Sequence, residues 1–163
     1  MSTEQSTMRP AARHALRSLL ASLATVLVLS TTFLVSGAAN AGASEYPAAE
    51  YDAVWLINQT RGAAGLGAVG QDPWLTILAR IHADRLAGDN RLYHQDLQVP
   101  LSWGWRWVGE NVAYSSLGLI DAHRALERSP GHLENMRVGA AFAAGTGISF
   151  GHSRMFLVQL LAY

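Results

Sequence analysis

The sequence contains no cysteine and no lysine. Without cysteine the chain forms neither a disulfide bond nor a thiol nucleophile, so an exported form must be stabilised by packing alone. Charged residues are also scarce, at 15% of the chain, and the formal net charge is zero. A neutral chain offers no electrostatic attraction for nucleic acid or for an anionic membrane surface, and we expect neither as a partner.

One stretch lacks charge altogether, from residue 18 to residue 44. It follows Arg9, Arg13 and Arg17 and ends in small residues between Ala39 and Ala43. This pattern predicts a secretory signal peptide over residues 1–43, and therefore a secreted, extracellular protein with no membrane span in its mature form. The apolar run is also long enough to cross a bilayer of roughly 30 Å, so an uncleaved anchor is the alternative.

Residues 44–163 lack internal repeats and linkers, which predicts a single domain and, we expect, a monomer. Apolar periodicity predicts helices over residues 50–64, 72–87 and 119–128, with a short helical turn over 132–136. Asp72-Pro73 predicts a helix start, and Gly65 predicts a helix stop. Residues 44–50 are expected to be no more than a short lead-in.

The C-terminal part of the sequence changes to a strand pattern. Residues 146–150, a turn over 151–154 and residues 155–162 predict an antiparallel hairpin. The last run is apolar on both faces except at Gln159, which predicts a central strand. Helices must then cover both faces of the sheet. The predicted class is α+β, a three-layer α-β-α sandwich around a small, mainly antiparallel central sheet.

A lone carboxylate, Glu110, lies beside Asn111 in the apolar segment 107–114. His94 and His132 lie outside the strongest helical patterns. Two neutral imidazoles can bind a divalent metal such as zinc, and a carboxylate can complete the shell, orient an imidazole or act as a base on bound water. The alternative is a set of polar side chains that bond to one another without metal or turnover. The spacing alone does not decide between them.

Trp103, Trp105 and Trp107 alternate with smaller or polar residues, which predicts three indoles on one side of an extended segment. They either fill the core or form the wall of a ligand groove. We therefore group them into one predicted ligand cleft with the polar candidates, His94, Glu110, Asn111 and His132.

Other polar residues are given structural roles. His82 lies in a hydrophobic row of the predicted second helix, which favours a packed or hydrogen-bonded histidine over a ligand. His123 and His152 are interpreted as surface or turn residues. Arg61 and Asn111 are interpreted as groups that brace the backbone.

Several short motifs occur in a specific order along residues 50–163: Asn58-Gln-Thr-Arg61, Asp72-Pro-Trp-Leu75, His82-Ala83, Leu92-Tyr-His94, Val108-Gly-Glu-Asn111, Ser129-Pro-Gly-His132 and Val158-Gln159. In this order they resemble the small bacterial branch of the CAP superfamily, which comprises cysteine-rich secretory proteins, antigen 5 and pathogenesis-related 1 proteins and is also known by its SCP domain. The resemblance covers nearly all of the predicted domain.

The resemblance implies an exported α-β-α sandwich with a central cleft. His94 and His132 match the cleft histidines that bind a metal such as zinc in some members, and Glu110 matches the cleft glutamate. Some members carry sterols or fatty acids, which implies a small apolar ligand such as a lipid. Many animal and plant members have a second acid where this chain has Ser129. That departure weakens the case for catalysis.

The sequence thus favours a secreted binding module over an enzyme. Its cleft would take a divalent metal, a small apolar ligand or both. One alternative is a metal-assisted hydrolase or peptidase with Glu110 as general base. Another is an extracellular protein–protein interaction domain that exposes the tryptophan row.

Overall fold

The computed structural model describes residues 46–163, so the predicted signal peptide and its end at residue 43 lie outside the described residues. The helices and strands occur in the order α1 (Pro47–Ala63), β1 (Gly70–Gln71), α2 (Pro73–Asp89), α3 (Gln98–Ser102), β2 (Val108–Ser115), α4 (Leu119–Arg128), α5 (Pro130–Met136), β3 (Ala143–Gly151) and β4 (Arg154–Ala162). Among residues 46–163, no helix is both long and apolar enough to span a membrane.

The predicted start of α2 is confirmed. The Asp72 carboxylate accepts hydrogen bonds from the backbone N–H groups of Trp74 (2.9 Å) and Leu75 (2.8 Å), and Pro73 occupies the first turn, where its missing donor costs nothing. The bounds of α4 also match the prediction. Helix α1 begins at Pro47, so the expectation that residues 44–50 form only a lead-in is wrong for its last four residues.

Four strands form one sheet in the order β1-β3-β4-β2. Strand β4 lies between β3 and β2 and is antiparallel to both, whereas the two-residue strand β1 is parallel to β3. The predicted central position of the last strand and the mainly antiparallel sheet are confirmed. The hairpin between β3 and β4 turns at His152 and Ser153, which both have positive φ (52° and 59°).

Two buried clusters use alternate residues of β4. The first joins residues of α1, α4 and β4, among them Ile57, Leu126 and Leu157. The second joins residues of α2 and β4, among them Leu75 and Phe156. Successive residues of a strand point to opposite faces of the sheet. Helices therefore pack against both sets of alternate β4 side chains. The predicted α+β class is confirmed.

Helix α2 lies unusually close to β3 because two positions on that strand have no side chain. A Cβ at Gly145 would overlap the backbone of Leu75 and Thr76, and a Cβ at Gly147 would overlap the backbone of Ala79 and Arg80. The two glycines are two residues apart and therefore share one face of the strand. They let the helix backbone rest directly on the sheet.

The guanidinium of Arg61 is buried and binds backbone carbonyls. Its Nε donates to Gly67 O (2.8 Å), Nη1 to Met136 O and Val138 O (both 2.9 Å), and Nη2 to Ala141 O (3.0 Å). Burial lowers the pKa of this guanidinium. The prediction that Arg61 braces the backbone is confirmed. It ties the end of α1 to the chain that follows α5.

Candidate functional site

Glu110 is buried on β2, with its side chain 1% exposed, and the hydrogen bonds to its carboxylate come from the segment between α2 and α3. Oε1 lies 2.8 Å from Nδ1 of His94 and accepts from the backbone N–H of Gln95 (3.1 Å), and Oε2 accepts from the Gln95 amide (2.6 Å). The acid that the sequence marks as unusual is therefore held by three donors. Gln95 is a partner that the sequence did not suggest.

His94 is the exposed half of this pair. Its side chain is 60% exposed, while its Nδ1 faces the buried carboxylate. Because an ionised carboxylate only accepts hydrogen bonds, Nδ1 carries the proton and donates it, which leaves Nε2 as the nitrogen with a free lone pair. Within the described residues no hydrogen bond uses that nitrogen. Glu110 thus fixes both the ring orientation and the tautomer of His94.

His132 lies in the first turn of α5 and is half-buried. Burial lowers the pKa of His132, and the interaction with His94 lowers it further. A lowered pKa keeps the imidazole neutral, which is the form that binds metals. Across residues 46–163, no three His, Cys, Asp or Glu side chains are arranged to hold a metal ion together.

Asn111 positions the backbone that carries His132. Its amide donates to His132 O (3.1 Å) and to Gln159 Oε1 (3.3 Å), and its carbonyl accepts from the Asn135 amide (3.0 Å). Asn135 also donates to Glu110 O (3.2 Å). The prediction that Asn111 braces the backbone is confirmed. These bonds tie α5 to β2 at the position of Glu110.

The same polar chain continues through the buried residue His123. Gln159 Nε2 lies 3.1 Å from His123 Nδ1, and His123 Nε2 lies 3.0 Å from the hydroxyl of Thr60, which donates to Glu127 (2.6 Å). The interpretation of His123 as a surface or turn residue is wrong. Its partners lie 36 and 63 residues away in the sequence. Gln159 was the available signal, because an amide in an apolar central strand needs a partner.

Protonation of His123 should weaken the fold. With Gln159 donating to Nδ1, a second ring proton would place two donors face to face. Burial lowers the pKa of His123, although the nearby Glu127 carboxylate raises it by a smaller amount. The folded state then binds fewer protons than the unfolded state, so the stabilisation is complete above about pH 6.5 and is lost as pH falls through the lowered pKa.

Urea unfolding of the wild type between pH 8 and pH 5 should therefore show a decreasing free energy of unfolding below about pH 6.5. His123→Leu is expected to be less stable at every pH and to show a shallower decrease. His152→Asn, a change in the exposed turn, should keep the wild-type slope. A His123→Leu variant with the full wild-type slope would assign the pH dependence to other groups, with His132 the next candidate.

His82 is packed and hydrogen-bonded, as predicted. Its Nε2 lies 2.8 Å from Tyr93 O, and its ring meets the Tyr93 ring at 78° with centroids 5.1 Å apart. The same nitrogen lies 3.8 Å from Glu110 Oε2. His82 therefore holds the residue that precedes His94 against α2.

The three tryptophans do not share one side of an extended segment, so that prediction is wrong. Trp103 follows the end of α3, and Gly104 has φ 102°, which breaks the extended backbone. Trp105 packs against the second core cluster, and Trp107 packs against the first.

Trp107 also stacks on Tyr163, with centroids 5.7 Å apart and an interplanar angle of 17°. Its indole occupies the space that a Cβ at Gly109 would need. It thus has a packing role next to the Glu110 segment.

Trp103 and Trp105 line two adjoining cavities. One, of about 480 Å³, is bounded by Asp72, Trp74, Trp103 and Trp105. The other, of about 510 Å³, is bounded by Trp103, Gly104, Trp105, Arg106, Ala140, Phe142 and Tyr163. We call these two cavities together the tryptophan groove. His94, Glu110 and His132 do not line either of them.

No protein-family model matches the sequence, and a comparison with curated proteins gives no match. Solved structures do match. An outer surface protein of Borrelia burgdorferi aligns with a TM-score of 0.64 at 17% identity, over 72% of this chain and 94% of that one. An extracellular protein of Bacillus anthracis that contains an SCP domain aligns with a TM-score of 0.60 at 20% identity, over 71% of this chain and 40% of that one.

This chain has the SCP-domain fold. The predicted relationship to SCP-domain proteins is thereby confirmed at the level of the fold. A further SCP-domain match is NaASP2 in a structure with Zn²⁺, with a TM-score of 0.54 at 15% identity over 74% of this chain and 80% of that one.

Proposed function

We propose that this protein is an exported binding module of the CAP superfamily. Its cleft takes a divalent metal ion at His94 and His132, and the tryptophan groove takes a small apolar ligand such as a lipid. The observation that carries the metal proposal is the buried Glu110 carboxylate bonded to Nδ1 of the exposed His94. Helix packing through alternate residues of β4 supports the three-layer α-β-α arrangement.

The chemistry of the two imidazoles supports a metal such as zinc. A carboxylate that accepts from one imidazole nitrogen raises the basicity of the other and aims it at the metal. His94 has this arrangement, and the lowered pKa of His132 keeps a second imidazole neutral. A bound metal would supply a positive charge able to attract an oxygen of a ligand. His94 and His132 would hold the metal, and its other ligands would be water or that ligand.

The geometry favours binding over hydrolysis. A general base must lie within hydrogen-bond reach of the water that it deprotonates. Both oxygens of Glu110 already accept hydrogen bonds from His94 and Gln95, and the side chain is 1% exposed. Glu110 is therefore better suited to position His94 than to accept a proton from water.

Zinc titration by calorimetry tests the metal site. The wild type should bind saturably, and His94→Ala and His132→Ala should each remove most of the affinity because each deletes a direct ligand. Glu110→Gln should weaken binding by about 10–100-fold, the usual effect of removing a carboxylate that orients a ligating histidine.

His152→Asn is the matched control and should bind zinc as the wild type does. Absence of saturable binding, or unchanged binding by His94→Ala, would refute the metal proposal. A peptide- or ester-cleaving activity that chelation and Glu110→Gln both abolish would favour the hydrolase instead.

Export is supported by the charge-free segment 18–44 and its small-residue end. N-terminal sequencing of protein recovered from the growth medium is expected to begin near residue 44. Membrane-bound protein that retains Met1 would favour the uncleaved anchor.

A further inference from the structure

The smaller cavity of the tryptophan groove is lined by three indoles and one carboxylate, Asp72, Trp74, Trp103 and Trp105. Trp74 is 63% exposed and Trp103 is 49% exposed, although a large aromatic side chain is normally stabilised by burial. Their ring centroids are 6.3 Å apart and their planes meet at 66°. Two indoles whose planes meet at this angle do not form a flat patch.

Asp72 is the one ionisable group among the described residues that line this cavity. Its Oδ1 accepts from the first backbone N–H groups of α2. Within residues 46–163, no hydrogen bond to its Oδ2 is present. The carboxylate is negatively charged and the faces of indole rings have a negative electrostatic potential, so both kinds of group attract a cation.

The adjoining cavity contains a cationic side chain instead of a carboxylate side chain. It shares Trp103 and Trp105 with the first cavity, and its ionisable side chains are the guanidinium of Arg106 and the phenol of Tyr163. A positively charged group is repelled from the Arg106 end of the groove and attracted to the Asp72 end. The charge pattern thus places a cation at one defined end.

We propose that the cavity of Asp72, Trp74, Trp103 and Trp105 binds a small organic cation that carries a methylated ammonium group. Methyl groups make contact with indole faces and spread the charge, so such a cation loses little hydration when it enters an aromatic site. A primary ammonium is compact and strongly hydrated and is a poorer match. This inference rests on the proposed function in treating the groove as a ligand site, and it gives the ligand a charge that an apolar lipid lacks.

Choline and 3,3-dimethylbutan-1-ol form the test pair, because the alcohol has the shape of choline without its charge. Calorimetry or NMR titration of the mature protein should show saturable binding of choline, about tenfold tighter than binding of the alcohol, if the cation–π and carboxylate interactions contribute. A purely apolar groove would bind both probes equally.

Two variants separate the charge from the aromatic contact. Asp72→Asn removes the charge while keeping the helix cap, because asparagine caps helices as well as aspartate does. Trp103→Leu removes one exposed indole. Each is expected to weaken choline binding by about tenfold. The matched control is Trp55→Leu, an exposed tryptophan on α1 that does not line the cavity, which should bind choline as the wild type does.

Equal affinity for choline and the alcohol, no saturable choline binding, or choline binding that survives both cavity variants would overturn the inference. A zinc titration of the same samples keeps the two proposals apart. His94→Ala should lose zinc binding and keep choline binding, and Asp72→Asn should weaken choline binding and keep zinc binding. Protein that binds zinc and palmitate but not choline would leave the proposed function standing and refute this inference alone.

Discussion

Gly147→Ala is expected to destabilise the protein at the upper end of the roughly 1–3 kcal/mol that overpacking usually costs. The added methyl group would overlap the backbone of Ala79 and Arg80 in α2. A flexible side chain could move aside, but a helix backbone held at several points cannot. The overlap is removed only if α2 moves away from β3, and that movement would open the second core cluster. Urea unfolding monitored by circular dichroism measures the change.

Gly88→Ala is the matched control on the same pair of elements. Gly88 lies in α2, and a Cβ there would meet no atom within 4 Å. Alanine has a better helix propensity than glycine, so this variant should gain about 0.5–1 kcal/mol. If Gly147→Ala unfolds at the same urea concentration as the wild type, the close approach of α2 and β3 is incorrect.

Arg61→Met should cost about 3 kcal/mol or more, since a buried polar group left without its partner costs about 1–3 kcal/mol and this change affects several. Methionine fills much of the volume but donates no hydrogen bond. The carbonyls of Gly67, Met136, Val138 and Ala141 would all lose the hydrogen bond from the guanidinium, and among the described residues only Val138 O would keep another donor, the backbone N–H of Ala141 (3.1 Å). The unfolding free energy in urea, compared with that of the wild type, measures the loss.

Arg61→Lys tests the geometry of the side chain rather than its charge. A lysine carries one ammonium with three donors and cannot reach carbonyls in the planar fork that arginine uses, so most of the destabilisation should remain. Arg124→Met, on the exposed face of α4, should stay within about 0.5 kcal/mol of the wild type. Full stability of Arg61→Lys would mean that the charge alone is sufficient.

These two variants also affect the candidate sites. Asp72 caps α2, and Trp74 and His82 lie on it, so a shift of α2 alters the cavity and the support of the segment before His94. Arg61 holds the carbonyl of Met136 at the end of α5, the helix that carries His132. The packing of the fold and the geometry of both sites therefore depend on the same contacts.

The features that could be predicted from the sequence are mostly local. Asp72-Pro73 predicted the start of α2 because capping uses residues two or three positions away. The turn at residues 151–154 and the apolar pattern of the last strand predicted the hairpin and the central strand. The interpretation of Arg61 and Asn111 as bracing groups is confirmed by their hydrogen bonds to backbone carbonyls.

The predictions that are wrong concern features that depend on a single backbone angle or on partners distant in the sequence. Trp103, Trp105 and Trp107 do alternate with other residues in the sequence. The positive φ of Gly104, however, interrupts the extended backbone that this alternation predicted. His123 has polar neighbours on its own helix, and its buried partners Gln159 and Thr60 come from other elements.

By itself, the sequence determined the starts of α2 and α4, the central strand, the SCP-type order of motifs and the choice of Glu110, His94 and His132 as candidate site residues. Only the tertiary structure decided that Glu110 is held by His94 and Gln95 and that His123 is buried in a polar chain. It alone brought Asp72 together with the indoles of Trp74, Trp103 and Trp105 around one cavity. The physical reason is range: capping and strand alternation act over a few residues, whereas these contacts join residues brought together by packing on the sheet.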